Sequence, residues 1–227
     1  MRSTVQSVCV VCALLLAAPG VASAAAGQKA RPGAPSPLGL GLRAYGIVDL
    51  DSVAAQQTFN AELGTSQLKA FGGGVDVVDI WKHLFARVAV TRARKTGSRV
   101  FVTGGQVFPL GIPITVTMTP VEVGGGWRFA GLHRRATPYA GAAFVSMGYA
   151  DTSQFADPEE NTSGRFKGGE VFGGVEVAIV KWVAASVDAQ YRRVPNALGA
   201  GGVSKDFNET GLGGFTARVT VGIRTKR

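Results

Sequence analysis

Hydrophobic and polar residues alternate with a period of two along much of this chain, which is typical of β-strands whose two faces meet different surroundings. In residues 183–192, Val187 and Tyr191 fall on the apolar face, whereas Asp188 and Arg192 fall on the polar face. Residues 215–224 alternate in the same way. The pattern predicts eight strands, at residues 40–50, 67–78, 84–95, 114–129, 138–150, 168–180, 182–193 and 212–225.

The lengths of the predicted connections alternate too. The connections after strands one, three, five and seven are long, at residues 51–66, 96–113, 151–167 and 194–211, whereas the others are short. In an up-and-down meander, alternate connections lie at the same end of the sheet. All long loops then lie at one end, as in outer-membrane barrels with short periplasmic turns and long extracellular loops. We therefore predict an all-β fold, an eight-stranded antiparallel transmembrane β-barrel, over residues 40–227.

Paired glycines followed by alternating residues occur on each even-numbered strand, at residues 73–77, 125–129, 173–177 and 213–217. Glycine inside a strand usually marks a kink, a bulge or a close approach of two backbones. Its recurrence at one offset indicates a single closed sheet, with the polar residue after each pair pointing inward.

The fourth predicted strand changes phase. Its threonines stand at odd positions up to Thr119, but Glu122 and Arg128 stand at even positions. Proline cannot donate a hydrogen bond to the ladder and is often found at irregularities. We therefore predict a bulge at Pro120.

These features resemble the OmpA-type family of eight-stranded outer-membrane β-barrels. The resemblance rests on strand count, loop asymmetry, the glycine-rich stretch at 71–75 and the Pro-Tyr-Ala-Gly opening of the fifth strand at 138–141. It implies an integral outer-membrane protein with a structural or surface-interaction role, assembled by the barrel-assembly machinery. Family chains commonly end in an aromatic residue, whereas this chain ends in Arg227. The assembly signal is therefore expected to be weaker or to lie further in, at about 215–223.

Residues 1–24 are predicted to be a secretory signal peptide, with Arg2, an apolar stretch at 8–18 and an Ala-x-Ala cleavage site ending at Ala24. Residues 25–39, rich in proline, alanine and glycine, are predicted to be a disordered linker. Cys9 and Cys12 both lie in the signal peptide, so the mature chain has no thiol for a disulfide. Export to the outer membrane of a Gram-negative-type envelope is expected.

The full sequence has a net charge of +9, and loss of Arg2 with the signal peptide leaves +8. For an exported chain, anionic lipid and lipopolysaccharide are more plausible partners of this charge than nucleic acid. Arginine and lysine residues cluster where the third strand reaches the long-loop side, and a solvated surface explains them as well as lipopolysaccharide phosphates do. This candidate lipopolysaccharide contact consists of Arg92, Arg94, Lys95 and Arg99.

If the apolar face meets lipid, the polar face points into an interior that eight strands leave just wide enough for side chains to fill. We predict that charged residues on this face pair with one another and plug the lumen, since unpaired buried charges are costly. A conducting pathway is the alternative. The predicted network consists of Asp76, Arg87, Glu122, Arg128, Glu170, Glu176, Asp188 and Arg218.

Trp81, Trp127 and Trp182 all lie in or beside short turns. Aromatic side chains at one level of a barrel are typical of an interfacial girdle. Tyr149 and Tyr191 are expected to form a sparser girdle at the opposite rim.

The sequence has no legible catalytic triad and no metal-ligand spacing, so we expect no enzymatic activity, cofactor or metal. Two other functions stay open. One is a narrow pore for small solutes. The other is a soluble periplasmic β-barrel that binds a small apolar ligand, because periodicity alone does not say which face is inside.

Overall fold

The computed structural model describes residues 40–129, 136–155 and 161–225. The predicted signal peptide and linker, at 1–24 and 25–39, lie outside these residues. Eight antiparallel strands form a closed barrel in sequence order, with β1 paired to β8, so the predicted fold class is confirmed. The strands are β1 (Gly41–Val53), β2 (Gln67–Val78), β3 (Leu84–Thr103), β4 (Gln106–Arg128), β5 (Ala136–Thr152), β6 (Thr162–Val180), β7 (Val183–Val194) and β8 (Leu212–Arg224).

The prediction of a long loop at 96–113 is wrong, because β3 and β4 continue pairing to Thr103 and Gln106. Their strands extend far past the predicted ends, and a tight turn at Gly104 and Gly105 joins them. Both glycines have positive φ, of +57° and +78°, which is the geometry that two-residue hairpin turns demand. The second of the predicted long connections is therefore a projecting β-hairpin.

The predicted bulge at Pro120 is also wrong. The register of β4 against β5 runs without a shift through Pro120, which lies opposite Met147. From Ile114 onward, even-numbered residues of β4 face inward, first Ile114 and Met118 and then Glu122. The phase change in the sequence arises because the inward face is apolar near the long loops and charged further down the barrel.

Two of the repeated glycines stand where a side chain would not fit. At Gly214, φ is +118°, and a Cβ atom would lie 2.0 Å from the carbonyl oxygen of Ser52 on the neighbouring strand. A Cβ at Gly126 would lie 2.1 Å from the carbonyl oxygen of Ala140. These glycines allow adjacent backbones of the coiled sheet to approach closely.

Two helices, α1 (Gln56–Leu63) and α2 (Gly202–Asp206), lie in the connections after β1 and β7. Phe59 and Leu63 of α1 are buried in a cluster with inward-facing residues of the strands, among them Ile114 and Met147. Helix α1 therefore packs over the interior at the long-loop end. Neither described helix has the length and apolar composition that crossing a bilayer would require.

Candidate functional site

The middle of the barrel interior holds five charged side chains, here called the central cluster. The guanidinium of Arg218 donates from Nε to Oδ1 of Asp49 at 2.8 Å and from Nη1 to Oε2 of Glu122 at 2.7 Å. Arg192 donates from Nη2 to Oε1 of Glu122 at 2.7 Å and from Nε to Oε2 of Glu170 at 2.9 Å. The cluster thereby ties together five strands across the lumen.

A second group of charges, the turn-side cluster, lies nearer the short turns. Arg87 donates to Asp76 and to Asp188, each at 3.2 Å. The hydroxyl of Tyr45 donates to Asp76 at 2.8 Å, and the hydroxyl of Tyr139 donates to Asp188. Hydrogen bonds from neutral donors add to the ion pairs, which lowers the cost of holding these charges away from water.

The turn-side cluster ends at a carboxylate that three arginines share. Arg43 and Arg128 both donate to Glu176, the latter from Nη2 to Oε1 at 2.8 Å. Nη1 of Arg224 lies 3.5 Å from the same Oε1 atom. Arg43 and Glu176 are buried, whereas Arg128 and Arg224 are partly exposed at the rim.

The structure places all eight residues of the predicted lumenal network inside the barrel and within these two clusters. Four further charged members, Arg43, Asp49, Arg192 and Arg224, were not part of the predicted network. Arg43 and Asp49 share the inward face of β1 with Tyr45 and Ile47. Because this face mixes charged and apolar residues, the sequence of β1 does not show a clear alternation of polar and apolar positions. The strand register places Asp49 opposite Arg218, and periodicity alone does not predict which residues pair across strands.

Above the central cluster, helix α1 closes the interior with apolar contacts rather than charges. The carboxylate of Glu209 holds its first turn, because it accepts hydrogen bonds from the backbone N–H groups of Gln57 at 3.0 Å and Thr58 at 2.8 Å. An acid at this end of a helix also interacts favourably with the helix dipole. The connection after β7 thus fixes the helix that follows β1, and sequence periodicity gave no indication of this lid.

A cavity of about 490 Å³ lies beside the lid, and Glu62, Arg99 and Asp151 are among its lining residues. Burial, together with the nearby charge of Asp151, raises the pKa of Glu62 to about 7, although Arg99 opposes the shift. The long-loop end therefore holds one carboxyl group, that of Glu62, whose pKa lies near neutral pH.

The four basic residues of the predicted lipopolysaccharide contact do not share one surface. Arg92, Arg94 and Lys95 are exposed on β3, whereas Arg99 is half-buried and lines the cavity beside the lid. Exposed basic side chains also occur on β2, β6 and β7 toward the long loops, and sequence analysis did not single them out. They are Lys69, Arg165, Lys167 and Arg193.

The three tryptophans lie at the short-turn end, where their side chains are 71% (Trp81), 41% (Trp127) and 54% (Trp182) exposed. At the opposite rim, Tyr191 is exposed, but Tyr149 faces the interior and is 7% exposed. The expectation of a second girdle that includes Tyr149 is therefore wrong, because Tyr149 packs in the apolar cluster under the lid.

No protein-family model matches the chain, and no curated protein matches it in sequence. Among solved structures, Ail, the attachment invasion locus protein of Yersinia pestis, in complex with the heparin analogue sucrose octasulfate, matches with a TM-score of 0.51 and 10% identity, covering 82% of this chain and 99% of that chain. The chain has the eight-stranded barrel fold of Ail. This likeness confirms the predicted architectural resemblance at the level of the fold.

Two further solved structures are similar over a comparable length. Neisserial surface protein A matches with a TM-score of 0.49 and 12% identity, covering 83% of this chain and 97% of that chain. The outer membrane protein OprG from Pseudomonas aeruginosa matches with a TM-score of 0.49 and 10% identity, covering 83% of this chain and 96% of that chain.

Replacing Arg218 with leucine should destabilise the barrel by about 3–5 kcal/mol, because Asp49 would lose its buried arginine and Glu122 would lose one of two. Urea unfolding of the chain in lipid vesicles measures the change. The matched control, Arg165→Leu, removes an exposed arginine of β6 and should change stability by less than about 0.5 kcal/mol. Equal stability of the two variants would show that the central cluster does not hold the barrel together.

Docking of the lid should weaken as the pH rises from about 4.5 to about 7 and should change little above that. The docked helix holds a proton on Glu62 up to a pKa of about 7, whereas the undocked carboxyl loses it near 4.5, so protonation favours docking between these values. Amide hydrogen exchange of α1, corrected for intrinsic rates, should show greater protection at low pH. Glu62→Gln should remove most of this dependence, whereas Asp206→Asn in α2 should not. Protection that rises with pH would contradict the assignment.

Proposed function

We propose that the chain is an integral outer-membrane β-barrel with a closed lumen and a structural or surface-interaction role rather than a catalytic one. The observation that carries this proposal is the reversal of faces relative to a water-soluble barrel: the inside is charged and the outside is apolar. Every strand presents at least one large apolar side chain that is 46–62% exposed. One from each strand is Val48, Phe71, Val88, Val123, Phe144, Val171, Val187 and Val219.

The same reversal argues against a soluble barrel that binds an apolar ligand. Such a barrel would need an apolar cavity inside, whereas the centre of this lumen is occupied by paired arginines and carboxylates such as Arg218 and Glu122. Helix α1 and the apolar cluster beneath it occupy the long-loop end of the described interior. The arrangement also supports a plugged lumen over a narrow pore.

The tryptophans support an orientation in the membrane. Trp81, Trp127 and Trp182 would form the interfacial girdle at the periplasmic side, since aromatic rings favour the headgroup level and short turns face the periplasm in such barrels. The lid, the β3–β4 hairpin and the exposed basic residues would then face the outside of the cell.

Exposed basic residues on two faces of the barrel support a contact with lipopolysaccharide phosphates. Arg92 and Arg94 lie on β3, and Lys167 and Arg193 lie on β6 and β7. The latter pair flanks an outward groove of about 600 Å³, lined largely by small and apolar residues that include Ala142, Phe144, Gly169 and Val171. A phosphate above and an acyl chain below would match this combination of charged and apolar surface.

Membrane insertion and closure can be tested on one preparation of the chain. The protein should fractionate with outer membranes and migrate faster on gels before boiling than after, because a membrane barrel resists detergent. In planar bilayers it should give no stable conductance. A soluble periplasmic location would overturn the membrane proposal. Stable open channels would contradict the closed lumen and favour a pore.

The lipopolysaccharide contact can be tested by removing each basic face. The variants R92Q/R94Q/K95Q and K167Q/R193Q should each bind lipopolysaccharide micelles less tightly than the unmodified chain. Added salt should weaken the binding of each variant less than that of the unmodified chain, because salt screens charges and the variants have fewer charges in the contact. The control K82Q/K205Q removes two exposed lysines away from these faces. Binding that is unchanged in both variants would remove lipopolysaccharide as the partner of these residues.

A further inference from the structure

A cavity of about 420 Å³ opens at the short-turn end of the barrel, and we call it the turn-side cavity. Basic side chains converge on it from four places: Arg43 on β1, Arg128 on β4, Lys181 in the turn after β6, and Arg224 on β8. Asp79 is the single acid among its described lining residues. The cavity wall is therefore strongly positive.

The carboxylate beneath this cavity does not balance the arginines around it. Arg43, Arg128 and Arg224 all form ion pairs with Glu176. Arg128 and Arg224 approach the same oxygen atom, Oε1. The central cluster has the opposite ratio, with two arginines among three carboxylates. Positive charge is thus concentrated at the short-turn end, where guanidiniums in close proximity repel one another unless an anion lies between them.

One buried donor at this site also lacks a hydrogen-bond acceptor. Arg43 is 3% exposed, and its Nε atom makes no hydrogen bond. The nearest carboxylate oxygen in an ion pair with Nε, Oδ2 of Asp76, lies 3.9 Å away, which is too far for a hydrogen bond. Nε is itself shielded from solvent, so the donors that a ligand in the cavity can reach are those of Arg128 and Arg224, which are partly exposed, and of Lys181, which is exposed.

We propose that the turn-side cavity binds a phosphate group. Arginine pairs with phosphate in a planar, two-pronged geometry, and the lysine ammonium adds a compact point charge at the cavity edge. The volume falls within the range of about 300–1,000 Å³ that small-ligand sites occupy, so the cavity has room for more than the phosphate itself.

Two sources could supply this phosphate, and the position of the cavity favours one of them. Trp127 and Trp182 directly adjoin Arg128 and Lys181 in sequence, so the cavity lies at the level of the proposed interfacial girdle. An anionic phospholipid headgroup of the inner leaflet would meet it there, and this source rests on the proposed membrane function. Binding of free phosphate from the periplasm would require only the cavity and does not depend on the proposed membrane function.

The test uses the chain purified from membranes in a nonionic detergent, with two probes. Inorganic phosphate is titrated against the detergent-solubilised protein, and lipid nanodiscs with or without phosphatidylglycerol supply the headgroup. Phosphorus magnetic resonance follows the phosphate, and tryptophan fluorescence follows Trp127 and Trp182. Binding of free phosphate would identify a soluble anion site, whereas a response confined to phosphatidylglycerol would identify the lipid headgroup.

Lys181→Gln should weaken binding by roughly tenfold, as expected for one contact between charged groups. No hydrogen bond from its ammonium group supports the described fold, so the variant is expected to fold normally. The variant R128Q/K181Q/R224Q should abolish binding, and its gel shift on boiling checks that it folds. Lys205→Gln, at the long-loop end, is the matched control. Failure of both probes to bind, or equal affinity of K181Q and K205Q, would overturn the proposal whether or not the chain proves to span a membrane.

Discussion

A closed sheet of eight strands leaves an interior just wide enough to be filled by its own side chains or to hold one small ligand. This chain fills the middle of that interior with arginines that each bridge carboxylates on different strands, as Arg218 bridges Asp49 and Glu122. The outward face can then be largely apolar, because the charges of the central cluster pair with one another inside the barrel. The proposed lipid exposure and the proposed closure of the lumen both depend on this arrangement.

The interior is divided by depth. Charges occupy the centre and the short-turn end, whereas apolar residues fill the long-loop end beneath helix α1. The lid therefore needs no ion pair to the lumen. It is held by Phe59 and Leu63 from below and by Glu209 at its first turn.

The number of strands and their inward faces could be predicted from alternation, because a two-sided environment leaves its period in the residues themselves. Long-range pairing could not. Asp49 lies opposite Arg218 only through the register that joins β1 to β8, and the lid packs through contacts between distant loops. The bulge predicted at Pro120 was wrong, since an inward face that changes from apolar to charged resembles a shift in phase. The sequence pattern also grouped Arg99 with the exposed basic residues of β3, whereas Arg99 lines the cavity beside the lid.

The central cluster also constrains the order of assembly. Arg218 belongs to the last strand, and its partner Asp49 belongs to the first, 169 residues earlier. Until β8 is in place, Asp49 and Glu122 lack this guanidinium, and the seam beside β1 exposes unpaired backbone groups. Contacts between such distant residues form late, because the intervening chain must first be ordered. A partly assembled barrel would thus meet lipid with bare charges and an open edge, so insertion and closure are expected to proceed as one concerted event.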